Sequence, residues 1–543
     1  MPIQRLHPDD DAIVALRTLR AGESVSLEGR QWTLRSDIPA KHKFAARDFA
    51  AGELVKMYGT VVGKTRSAIG SGDLLSQENV AHAVAPVAVR ASGFKWTPPD
   101  VTRWAGRMFD GYRRADGRCG TANHWLVVPM VFCENRNVEV MREALTKGLG
   151  YAVTTPYSDF VSSLANAWRR GEALEDAKLQ ERGAATRVFP NVDGVKFLQH
   201  SLGCGGTRED ARALCGLLAG YITHPNVAGA TVLSLGCQNA EVEMLREEIA
   251  VRGPAGAKPL LVFEQQKSAS ERELLERALL ETFRGVAQAD ELRREPVPLD
   301  ELVLGLKCGG SDGFSGISAN PALGHCADLL ASLGGASVLG EFPELCGAEQ
   351  WLCDRCADPA LAKRFLDLMH RYNERARAAG SGFDMNPSPG NIREGLITDA
   401  MKSLGAARKG GSAPVLDVVD YPGPVTKRCG LTLLCTPGND VEATTALTGS
   451  GCNVIVFTTG LGTPTGNPVC PVIKMSTHTE LATRMADIID FDAGPIVSGA
   501  KTISQVGEEL LEHVIEVASG RVTPAAVRLG QDDFIPWKRG VSL

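Results

Sequence analysis

The sequence predicts an α/β protein in which a small β-rich N-terminal module precedes two α/β domains with mainly parallel sheets. Residues 1–92 contain short apolar runs separated by turn residues, whereas the rest of the chain alternates apolar strand-like segments with helical ones. The 58 glycines among 543 residues are typical of a loop-rich α/β chain. This length also exceeds what a single hydrophobic core accommodates, so several domains are expected.

The N-terminal module, residues 1–92, is predicted from segments such as ESVSLEGRQWTL and AAGELVKMYGTVV, in which turn residues flank apolar runs. The following stretch, GFKWTPPDVTRWAG, contains two adjacent prolines. Because proline disfavours a helix interior, we interpret residues 93–106 as a linker. The sequence therefore predicts that the module ends near residue 92.

Two α/β domains are predicted after the linker, at residues 107–297 and 298–543. Apolar segments such as HWLVVPMVF, GATVLSLG, ELVLGLKC and NVIVFTTG alternate with amphipathic helical segments, and the stretch EPVPLD separates the two series. Strands that alternate with helices form parallel sheets. Since ligands gather at the carboxyl ends of parallel strands, the loops CGGSDG, TPGND and TTGLGTPTGNP are the first candidates for a site.

The composition and the net charge argue against nucleic-acid and membrane partners. The formal charge is only -6 and no block of Lys and Arg occurs, which argues against a nucleic-acid partner. The longest apolar runs are far shorter than the roughly 20 residues of a bilayer-spanning helix, so we expect no membrane partner. The N-terminus lacks the pattern of a secretory signal, and we therefore expect a cytoplasmic protein.

Three cysteines stand where predicted strands end beside glycines. They are Cys204 in HSLGCGGTRED, Cys237 in VLSLGCQN and Cys308 in GLKCGGSDG. Thiolates are preferred ligands of iron, zinc and iron–sulfur clusters, so the three could hold iron together. The alternative is that each merely packs at a strand end.

Most other cysteines are expected to be small buried core residues. This expectation covers Cys119, Cys133, Cys215, Cys326, Cys452 and Cys470. The CDRC motif, Cys353 to Cys356, lies in a charged stretch predicted to be helical, and it lacks a second CxxC or a histidine pair at zinc-finger spacing. We interpret that motif as a chance spacing.

Several polar residues are further candidates. His42 in the turn AKHK could be an acid–base group or an ordinary surface histidine. Asn123 could belong to a substrate-binding turn or only to a turn. The loops NPSPGN and GLGTPTGNP offer backbone donors and short hydroxyls that suit a polyhydroxylated or anionic substrate, although ordinary turns have the same composition. No Walker or Rossmann fingerprint is present.

The segments GLKCGGSDGFSGISANP, NPSPGN, GLGTPTGNP and IDFDAG resemble the altronate dehydratase and galactarate dehydratase family of sugar-acid hydro-lyases. The resemblance runs from residue 1 to residue 543, and AKHKFA resembles a motif of that family's SAF-type N-terminal domain. It implies a sugar-acid substrate, a 2-keto-3-deoxy product and ferrous iron, with Mn²⁺ or an iron–sulfur cluster held by three cysteines as alternatives. We also expect a homo-oligomer.

The residues that match the family's motifs become candidate site residues. The predicted catalytic residues are His42, Ser311 and Asp312, and the predicted metal ligands are Cys204, Cys237 and Cys308. The predicted substrate-binding residues are Asn123, Gly205, Gly206, Gly309, Gly310, Asn320, Asn386, Ser388, Thr463 and Gly466.

One departure from the family pattern concerns histidines. Where one subgroup of altronate dehydratases has an HVHxHN run, this chain reads DLLSQEN at residues 73–79, which keeps Asn79 and has none of the three histidines. Galactarate dehydratases also lack the run, so the substrate stays open between D-altronate, galactarate and another sugar acid. The ends of the chain, with IDFDAG and FIPWKRGVSL, look more like the altronate branch.

The chemistry of dehydration suits these residue types. A base must take the proton on C2, an acid must assist the departure of the C3 hydroxyl, and a metal ion could stabilise the enediolate. We hypothesise iron near the three cysteines, His42 or another group as base, and Asp312 or Ser311 at the leaving hydroxyl. A sugar-acid-binding protein without catalysis and an oxidoreductase are the alternatives, and the missing dinucleotide fingerprint argues against the oxidoreductase.

Overall fold

The structure is a computed structural model that describes residues 2–90, 93–152, 157–179, 186–254 and 256–542, apart from the side chain of Asp384. It confirms the predicted fold class, because a strand-rich N-terminal region is followed by parallel sheets that alternate with helices. No helix among these residues combines the length and apolar character that crossing a bilayer requires.

The N-terminal module consists of short antiparallel strands. The strands are β1 (Ile3–Gln4), β2 (Ala12–Ala15), β3 (Ser24–Leu27), β4 (Arg30–Thr33), β5 (Lys43–Ala45), β6 (Leu54–Met57), β7 (Thr60–Thr65), β8 (Leu74–Leu75) and β9 (Val80–Ala81). They form a sheet of order β1-β2-β5-β8, a sheet of order β6-β7-β9 and the hairpin β3-β4. Strand β6 alternates exposed and buried residues, as expected for a strand with one face on a core.

The second domain is built on a four-stranded parallel sheet of order β13-β12-β14-β15. A separate, small antiparallel sheet has the order β11-β10-β16. The strands of the two sheets are β10 (Met108–Arg113), β11 (Cys119–Gly120), β12 (His124–Pro129), β13 (Gly194–Phe197), β14 (Val227–Ser234), β15 (Leu260–Glu264) and β16 (Glu295–Pro298). Its helices are α1 (Asn135–Leu149), α2 (Tyr157–Arg170), α3 (Arg208–Ile222), α4 (Val242–Arg252) and α5 (Glu271–Ala289). The EPVPLD stretch is not loop, since it contains β16, which pairs with β10.

The C-terminal domain is built on a seven-stranded parallel sheet of order β19-β20-β18-β17-β21-β22-β23. Its strands are β17 (Val303–Cys308), β18 (Ala336–Leu339), β19 (Val415–Val419), β20 (Gly430–Leu434), β21 (Val454–Thr459), β22 (Val472–Ser476) and β23 (Phe491–Asp492). Because all seven strands run in parallel, the loops that follow them meet at one edge of the sheet.

The helices of this domain cover the sheet and carry several site residues. They are α6 (Ala319–Ser332), α7 (Glu349–Cys353), α8 (Pro359–Ala378), α9 (Pro389–Arg393), α10 (Asp399–Ala407), α11 (Asp440–Gly449), α12 (Thr479–Arg484), α13 (Gly494–Ser498), α14 (Ile503–Ala518) and α15 (Ala525–Arg528). The CDRC motif is only partly helical, because Cys353 is the last residue of α7 and Cys356 follows it.

The N-terminal module packs against the C-terminal domain around the start of α10. Thr398 donates a hydrogen bond to the carbonyl of Val62 at 2.8 Å, and the ammonium of Lys43 donates to the carbonyl of Gly395 at 2.6 Å. Buried residues of both parts belong to one hydrophobic cluster, which includes Val55 and Leu306. The module is therefore held on the domain that carries the large sheet.

The expectation of buried cysteines is correct for five of the six and wrong for one. Cys119, Cys215, Cys326, Cys452 and Cys470 are buried. Cys133 is exposed, because it lies in a 3-10 turn, Phe132–Glu134, that crosses the surface between β12 and α1.

Candidate active site

A cleft of about 850 Å³ opens at the carboxyl edge of the large sheet, between the N-terminal module and the C-terminal domain. The module contributes Arg17 and Lys41 to its lining, and the C-terminal domain contributes Phe314, His478 and Arg484. Phe314 belongs to the loop after β17, and His478 follows β22 by two residues. Cationic side chains from two parts of the chain therefore face one space.

The buried carboxylate of Asp312 connects these groups. Its Oδ2 lies 3.1 Å from Nζ of Lys41 and 3.7 Å from Nδ1 of His478, and it accepts a hydrogen bond from Oγ1 of Thr477 at 3.1 Å. Its other oxygen accepts hydrogen bonds from the backbone of the same loop, including that of Ser315 at 3.0 Å. Asp312 is fully buried, so these contacts fix it behind Lys41 and His478, which line the cleft.

The backbone around Lys41 is held in a conformation that non-glycine residues rarely adopt. The φ angle of Lys41 is 73°, and its ammonium lies 2.6 Å from the carboxylate of Glu394 as well as near Asp312. A Cβ atom on Gly395 would lie 2.5 Å from the carbonyl oxygen of Lys41, and one on Gly460 would lie 2.3 Å from Cγ of Asp312. Local strain of this kind is common at functional sites.

Electrostatics assigns different charges at neutral pH to Lys41 and His478, two basic side chains of the cleft. Although burial opposes its charge, the carboxylates of Asp312 and Glu394 raise the pKa of Lys41 above its usual value, so it is an ammonium ion at neutral pH. Burial lowers the pKa of His478 below its usual value, so its imidazole is neutral at pH 7. The cleft therefore holds a fixed cation beside a neutral histidine that can accept a proton.

A second polar cluster is buried next to the cleft, at the other end of the 308–312 loop. Cys308 Sγ lies 2.6 Å from Nζ of Lys409, and the same ammonium lies 2.9 Å from a carboxylate oxygen of Glu341. The Lys307 ammonium also contacts Glu341, and Lys402 lies 2.8 Å from Glu344. Three ammonium groups thus surround two carboxylates and one thiol.

The Cys308 cluster is poorly suited to a metal ion. The Cys308 sulfur and oxygens of Glu341 and Glu344 lie within 4.8 Å of one another, as metal ligands would. In the metal-free site, burial raises the pKa of the Cys308 thiol to about 11. The carboxylates already have ammonium partners, and a divalent cation would be repelled by the lysines.

The structure does not bring the three predicted cysteine ligands together. Cys204 and Cys237 lie in neighbouring exposed loops of the second domain, where Asn239 bonds to the carbonyl of Cys204, whereas Cys308 is buried in the C-terminal domain. Among the described residues, neither group of close ligand atoms contains two of these cysteines. One ion bound directly by all three thiols is a prediction that this arrangement does not support.

A different group of three possible ligands joins the module to the C-terminal domain. Ligand atoms of His82, Cys346 and Asp399 lie within 4.8 Å of one another. Burial raises the pKa of the Asp399 carboxyl to about 7. These residues were absent from the sequence prediction, because three distant segments supply them and none carries a recognisable ligand motif.

Family models match the chain in three consecutive segments. The altronate/galactarate dehydratase SAF domain matches residues 1–83, the second domain of D-galactarate dehydratase/altronate hydrolase matches residues 111–290, and the C-terminal domain of D-galactarate/altronate dehydratase matches residues 299–542. The chain belongs to the altronate/galactarate dehydratase family. The resemblance predicted from the motifs is thereby confirmed.

Individual relatives of the family align over most of the chain. An altronate dehydratase of Bacillus subtilis is 34% identical over 99% of this chain and 99% of its own length. An altronate dehydratase of Escherichia coli is 34% identical over 96% of this chain and 95% of its own. The galactarate dehydratase (L-threo-forming) of Escherichia coli is 32% identical over 89% of this chain and 86% of its own.

Several family-matched residues line or support the two polar clusters. The carbonyl of Ser311 accepts a hydrogen bond from Asn391 at 2.8 Å, and Ser388 caps the N-terminus of α9, on which Asn391 lies. The side chain of Asn386 accepts a hydrogen bond from Lys402 at 2.7 Å. The NPSPGN loop therefore braces both ends of the 308–312 loop.

The glycines of the 308–312 loop allow close approach of other site segments. A Cβ on Gly309 would lie 2.4 Å from Oδ1 of Asp440, and one on Gly310 would lie 2.8 Å from Oγ1 of Thr463. Gly310 also has a φ of 58°, which favours glycine. These positions explain why glycine is needed beside Cys308.

Four other predicted substrate-binding residues lie elsewhere. Asn123 is buried in the second domain, where its amide bonds to Arg114 and to the carbonyls of Asn191 and Ala289. Gly205 and Gly206 belong to the surface loop before α3, and Gly466 bonds through its N–H to Asp533 at 2.9 Å. These residues hold no position in the lining of the cleft.

Asn320 has a supporting role inside the C-terminal domain. Its amide donates to the carbonyl of Gly405 at 3.0 Å and accepts from Thr458 at 2.6 Å, and the residue is buried. It thereby connects α6 to strand β21 and to α10. These contacts indicate that Asn320 stabilises the domain and does not face a substrate.

His42 lies beside the cleft, but its neighbour Lys41 lines it. The His42 ring is within 3.1 Å of the carbonyl of Ala40 through Nδ1, and the cleft lining includes Lys41 and not His42. The AKHK turn therefore lies at the cleft, and the role predicted for His42 stays a prediction. His478 was missed because STHTE resembles an ordinary helix start, although its position after a predicted strand was a usable signal.

Asn79, the residue kept where the family's histidine run is missing, stabilises a turn. Its side chain accepts a hydrogen bond from the N–H of Ser76 at 2.9 Å and donates to the carbonyl of Leu74 at 2.8 Å. The local backbone therefore needs an asparagine here independently of any metal ion. His82 follows three residues later, at the end of the same module.

Proposed function

We propose that this family member is a dehydratase that removes water from D-altronate to give 2-dehydro-3-deoxy-D-gluconate. The observation that carries the proposal is a cleft in which the neutral His478 and the cationic Lys41 both contact the buried Asp312. Two altronate dehydratases match this chain over nearly its full length, which favours D-altronate over galactarate. Galactarate and other aldonates or aldarates are the alternatives.

His478 is the proposed base. Its Nδ1 faces Thr477 and Asp312, which leaves Nε2 for the substrate, and a neutral imidazole is the form that takes a proton. The C2–H bond breaks and its proton passes to Nε2. The C3–O bond then breaks, and the hydroxyl leaves as water with the proton returned by the imidazolium, which Asp312 stabilises until then. The remaining enol gains a proton at C3 and loses the proton of its C2 hydroxyl, which gives the 2-keto-3-deoxy acid.

Lys41 is the proposed stabiliser of negative charge. Removal of the C2 proton moves electron density onto the substrate carboxylate, and an ammonium fixed before the reaction begins stabilises that charge at low reorganisation cost. Lys41 is such a group, since Asp312 and Glu394 hold it in place. Arg17 and Arg484 line the same cleft and can bind the anionic substrate at its rim.

Ferrous iron is the proposed cofactor, with Mn²⁺ as the alternative. His82, Cys346 and Asp399 fit such an ion better than the Cys308 cluster does, because no lysine ammonium is bonded to the Asp399 carboxylate within the described residues. None of these three residues belongs to the described lining of the cleft, so a bound divalent ion would supply positive charge at the junction of the module with the C-terminal domain and not Lewis acidity at the substrate. The cytoplasmic location and the homo-oligomer stay predictions, whereas the separation of Cys308 from Cys204 and Cys237 argues against a cluster held by the three cysteines.

The decisive assay measures the formation of a 2-keto-3-deoxy acid from a panel of sugar acids. Purified chain, kept reduced and supplied with Fe²⁺ or Mn²⁺, is incubated with D-altronate, galactarate and other aldonates. Product from D-altronate at the highest kcat/KM is the expected result. Product from galactarate alone would reassign the substrate, and binding without any keto acid would support a sugar-acid-binding protein and refute the dehydratase.

A further inference from the structure

Three side chains with different ligand atoms meet where the N-terminal module ends on the C-terminal domain. His82 directly follows β9 and is exposed, Cys346 follows the 3-10 turn Phe342–Leu345 and is half-buried, and Asp399 is the first residue of α10. One ligand atom of each lies within 4.8 Å of the other two. The group therefore draws on the module and on two separate segments of the large domain.

The carboxylate of Asp399 carries an unmet bonding need. The residue is only 4% exposed, and its Oδ1 atom is buried without a hydrogen-bond partner among the described residues, although the carboxyl group does form a hydrogen bond with Cys346. A buried carboxylate oxygen without a partner is destabilising, because it has lost its hydrogen bonds to water. The nearby ammonium of Lys402 does not fill this role, because it bonds to Glu344 and Asn386.

The three donor atoms suit a borderline transition metal. An imidazole nitrogen, a thiolate sulfur and a carboxylate oxygen together form a set that binds Zn²⁺, Fe²⁺ or Co²⁺, and Mg²⁺ or Ca²⁺ prefer oxygen alone. Ligand atoms of such an ion lie about 2.0–2.3 Å from it, and so are somewhat closer to one another than the 4.8 Å limit met here. Small side-chain movements would bring the three atoms to binding distance of one ion. The exposed His82 leaves a direction from which the ion can enter.

We propose that His82, Cys346 and Asp399 bind one divalent transition-metal ion, which cross-links the N-terminal module to the C-terminal domain. The inference rests on the proposed function in one respect, because the same two parts of the chain line the cleft. The residue before Asp399 already touches the module, through the hydrogen bond from Thr398 to Val62. The ion therefore strengthens an existing junction and keeps Lys41 of the module opposite His478.

In this proposal the metal ion affects catalysis by fixing the position of the N-terminal module. The metal holds the module, and with it Lys41, at the distance from Asp312 that the cleft requires. Loss of the metal is then expected to lower kcat and to raise KM together, since both Lys41 and Arg17 are carried by the module. His82, Cys346 and Asp399 are positioning residues in this scheme.

Cobalt provides the test, because thiolate-bound Co²⁺ has a charge-transfer absorption that does not depend on turnover. Full-length protein is stripped with a chelator under reducing, anaerobic conditions and titrated with Co²⁺. One equivalent per chain with a sulfur-to-cobalt band in the near ultraviolet is expected. Cys346→Ser should abolish the band, whereas Asp399→Asn and His82→Gln should weaken Co²⁺ binding at least about tenfold.

The matched control is the double variant Cys204→Ser/Cys237→Ser, which removes two exposed thiols and should keep the band. If this control loses the band while Cys346→Ser keeps it, the site is overturned. Asp399→Asn preserves side-chain shape, so unchanged Co²⁺ affinity in that variant would also overturn it, even if Cys346→Ser failed to fold. These readouts need no substrate, so they succeed or fail independently of the dehydratase assay.

Proteolysis tests the cross-link itself. Residues 83–90 and 93–101, which leave the module after His82, contain no helix or strand, and Arg90 within them is exposed. Bound Co²⁺ or Zn²⁺ should slow tryptic cleavage at Arg90 in the wild type by severalfold and have no such effect in His82→Gln. Metal binding that leaves the cleavage rate unchanged would overturn the cross-link.

Discussion

Nζ of Lys41 lies 3.1 Å from Oδ2 of Asp312, across the junction between the N-terminal module and the C-terminal domain. One partner sits in a strained turn with a φ of 73°, and the other is fully buried in the loop after β17. The contact joins the two parts of the chain at the wall of the cleft. Because Lys41 and His478 both contact Asp312, the proposed catalysis depends on the charge of Asp312.

The first prediction concerns Asp312→Asn. The amide keeps an oxygen for the backbone N–H groups of Phe314 and Ser315 but removes the charge that faces Lys41 and His478. We expect kcat for D-altronate to fall by about 10²–10⁴-fold, as for loss of a group in acid–base catalysis. The rate of keto-acid formation measures the effect, with Asp532→Asn, an exposed residue far along the chain, as control.

Full activity of Asp312→Asn would contradict this prediction. If Asp312→Asn turned over D-altronate at the wild-type rate while remaining folded by circular dichroism, the cleft around Asp312 would not be the active site. The buried cluster around Cys308 would then be the next candidate, since it lies at the other end of the same loop.

The fold was predictable from the sequence because the apolar residues of each βα unit recur with the spacing that is typical of its strand and its helix. The segment NRNVEVMREALTKGL, for example, forms α1 over its whole length and ends at Gly150 in a left-handed conformation, as glycine at that place predicts. The loop after β17 was predictable for a similar reason, because it follows a buried strand, and the family resemblance singled out Asp312 within that loop. Local pattern therefore located the loop that carries the site.

The partners of Asp312 were not predictable in this way. Lys41 reaches it from the N-terminal module and is held there by Glu394, which lies in the segment before α10, and only the packing of the module brings these residues close. Lys307 gave a weaker signal, since a lysine inside the apolar run ELVLGLKC must be paired if that strand is buried. Its partner Glu341 comes from another strand end, which no single-segment pattern reveals.

The second prediction concerns the pH dependence of turnover. Burial lowers the pKa of His478 below its ordinary value of 6.5, so the reactive neutral form dominates at pH 7 and is lost only as the pH falls through that lowered pKa. We expect kcat/KM to decline by about tenfold per pH unit on the acidic side of that point. His478→Gln should retain little activity and should lack this acidic limb.

His42→Gln is the matched control for the histidine prediction. Burial also lowers the pKa of His42, yet its ring is directed to the carbonyl of Ala40 and is not part of the cleft lining. This variant should keep the acidic limb and most of the rate. If instead His42→Gln removed the limb and His478→Gln kept it, His42 would be the base, as the sequence alone suggested.

The third prediction tests how tightly the backbone packs at Asp312. An alanine at position 460 would place its Cβ 2.3 Å from Cγ of Asp312, so the carboxylate must move away from Lys41 and His478. A misplacement of about 1 Å can cost about 10²-fold in rate, and we expect a loss of that size in kcat for Gly460→Ala. The measurement is turnover at saturating D-altronate.

Gly148→Ala is the control for that variant. Gly148 lies in α1, and a Cβ there meets nothing within 4 Å, so alanine should leave kcat unchanged and favour the helix slightly. A normal rate in Gly460→Ala would mean that the loop relaxes without moving Asp312. A crystal structure of that variant would then show the carboxylate in its original place.

The last prediction separates stability from catalysis in the buried cluster. Lys409 and Glu341 are each 1% exposed in their side chains, and Lys409 also contacts the Cys308 sulfur. Lys409→Met would leave Glu341 with Lys307 as its remaining ammonium partner and would leave the thiol without its donor. Breaking a buried pair from one side costs about 3–5 kcal/mol, and we expect a loss of this order in the free energy of unfolding by urea.

An exposed ion pair provides the control for this prediction. Lys501 and Glu509 form an ion pair with both side chains more than 40% exposed, so Lys501→Met should change stability by at most about 1 kcal/mol. If Lys409→Met were as mild as Lys501→Met, the lysines around Cys308 would not be needed to neutralise the carboxylates. Space for a cation beside Cys308 would then exist, and the thiol would again be a candidate ligand.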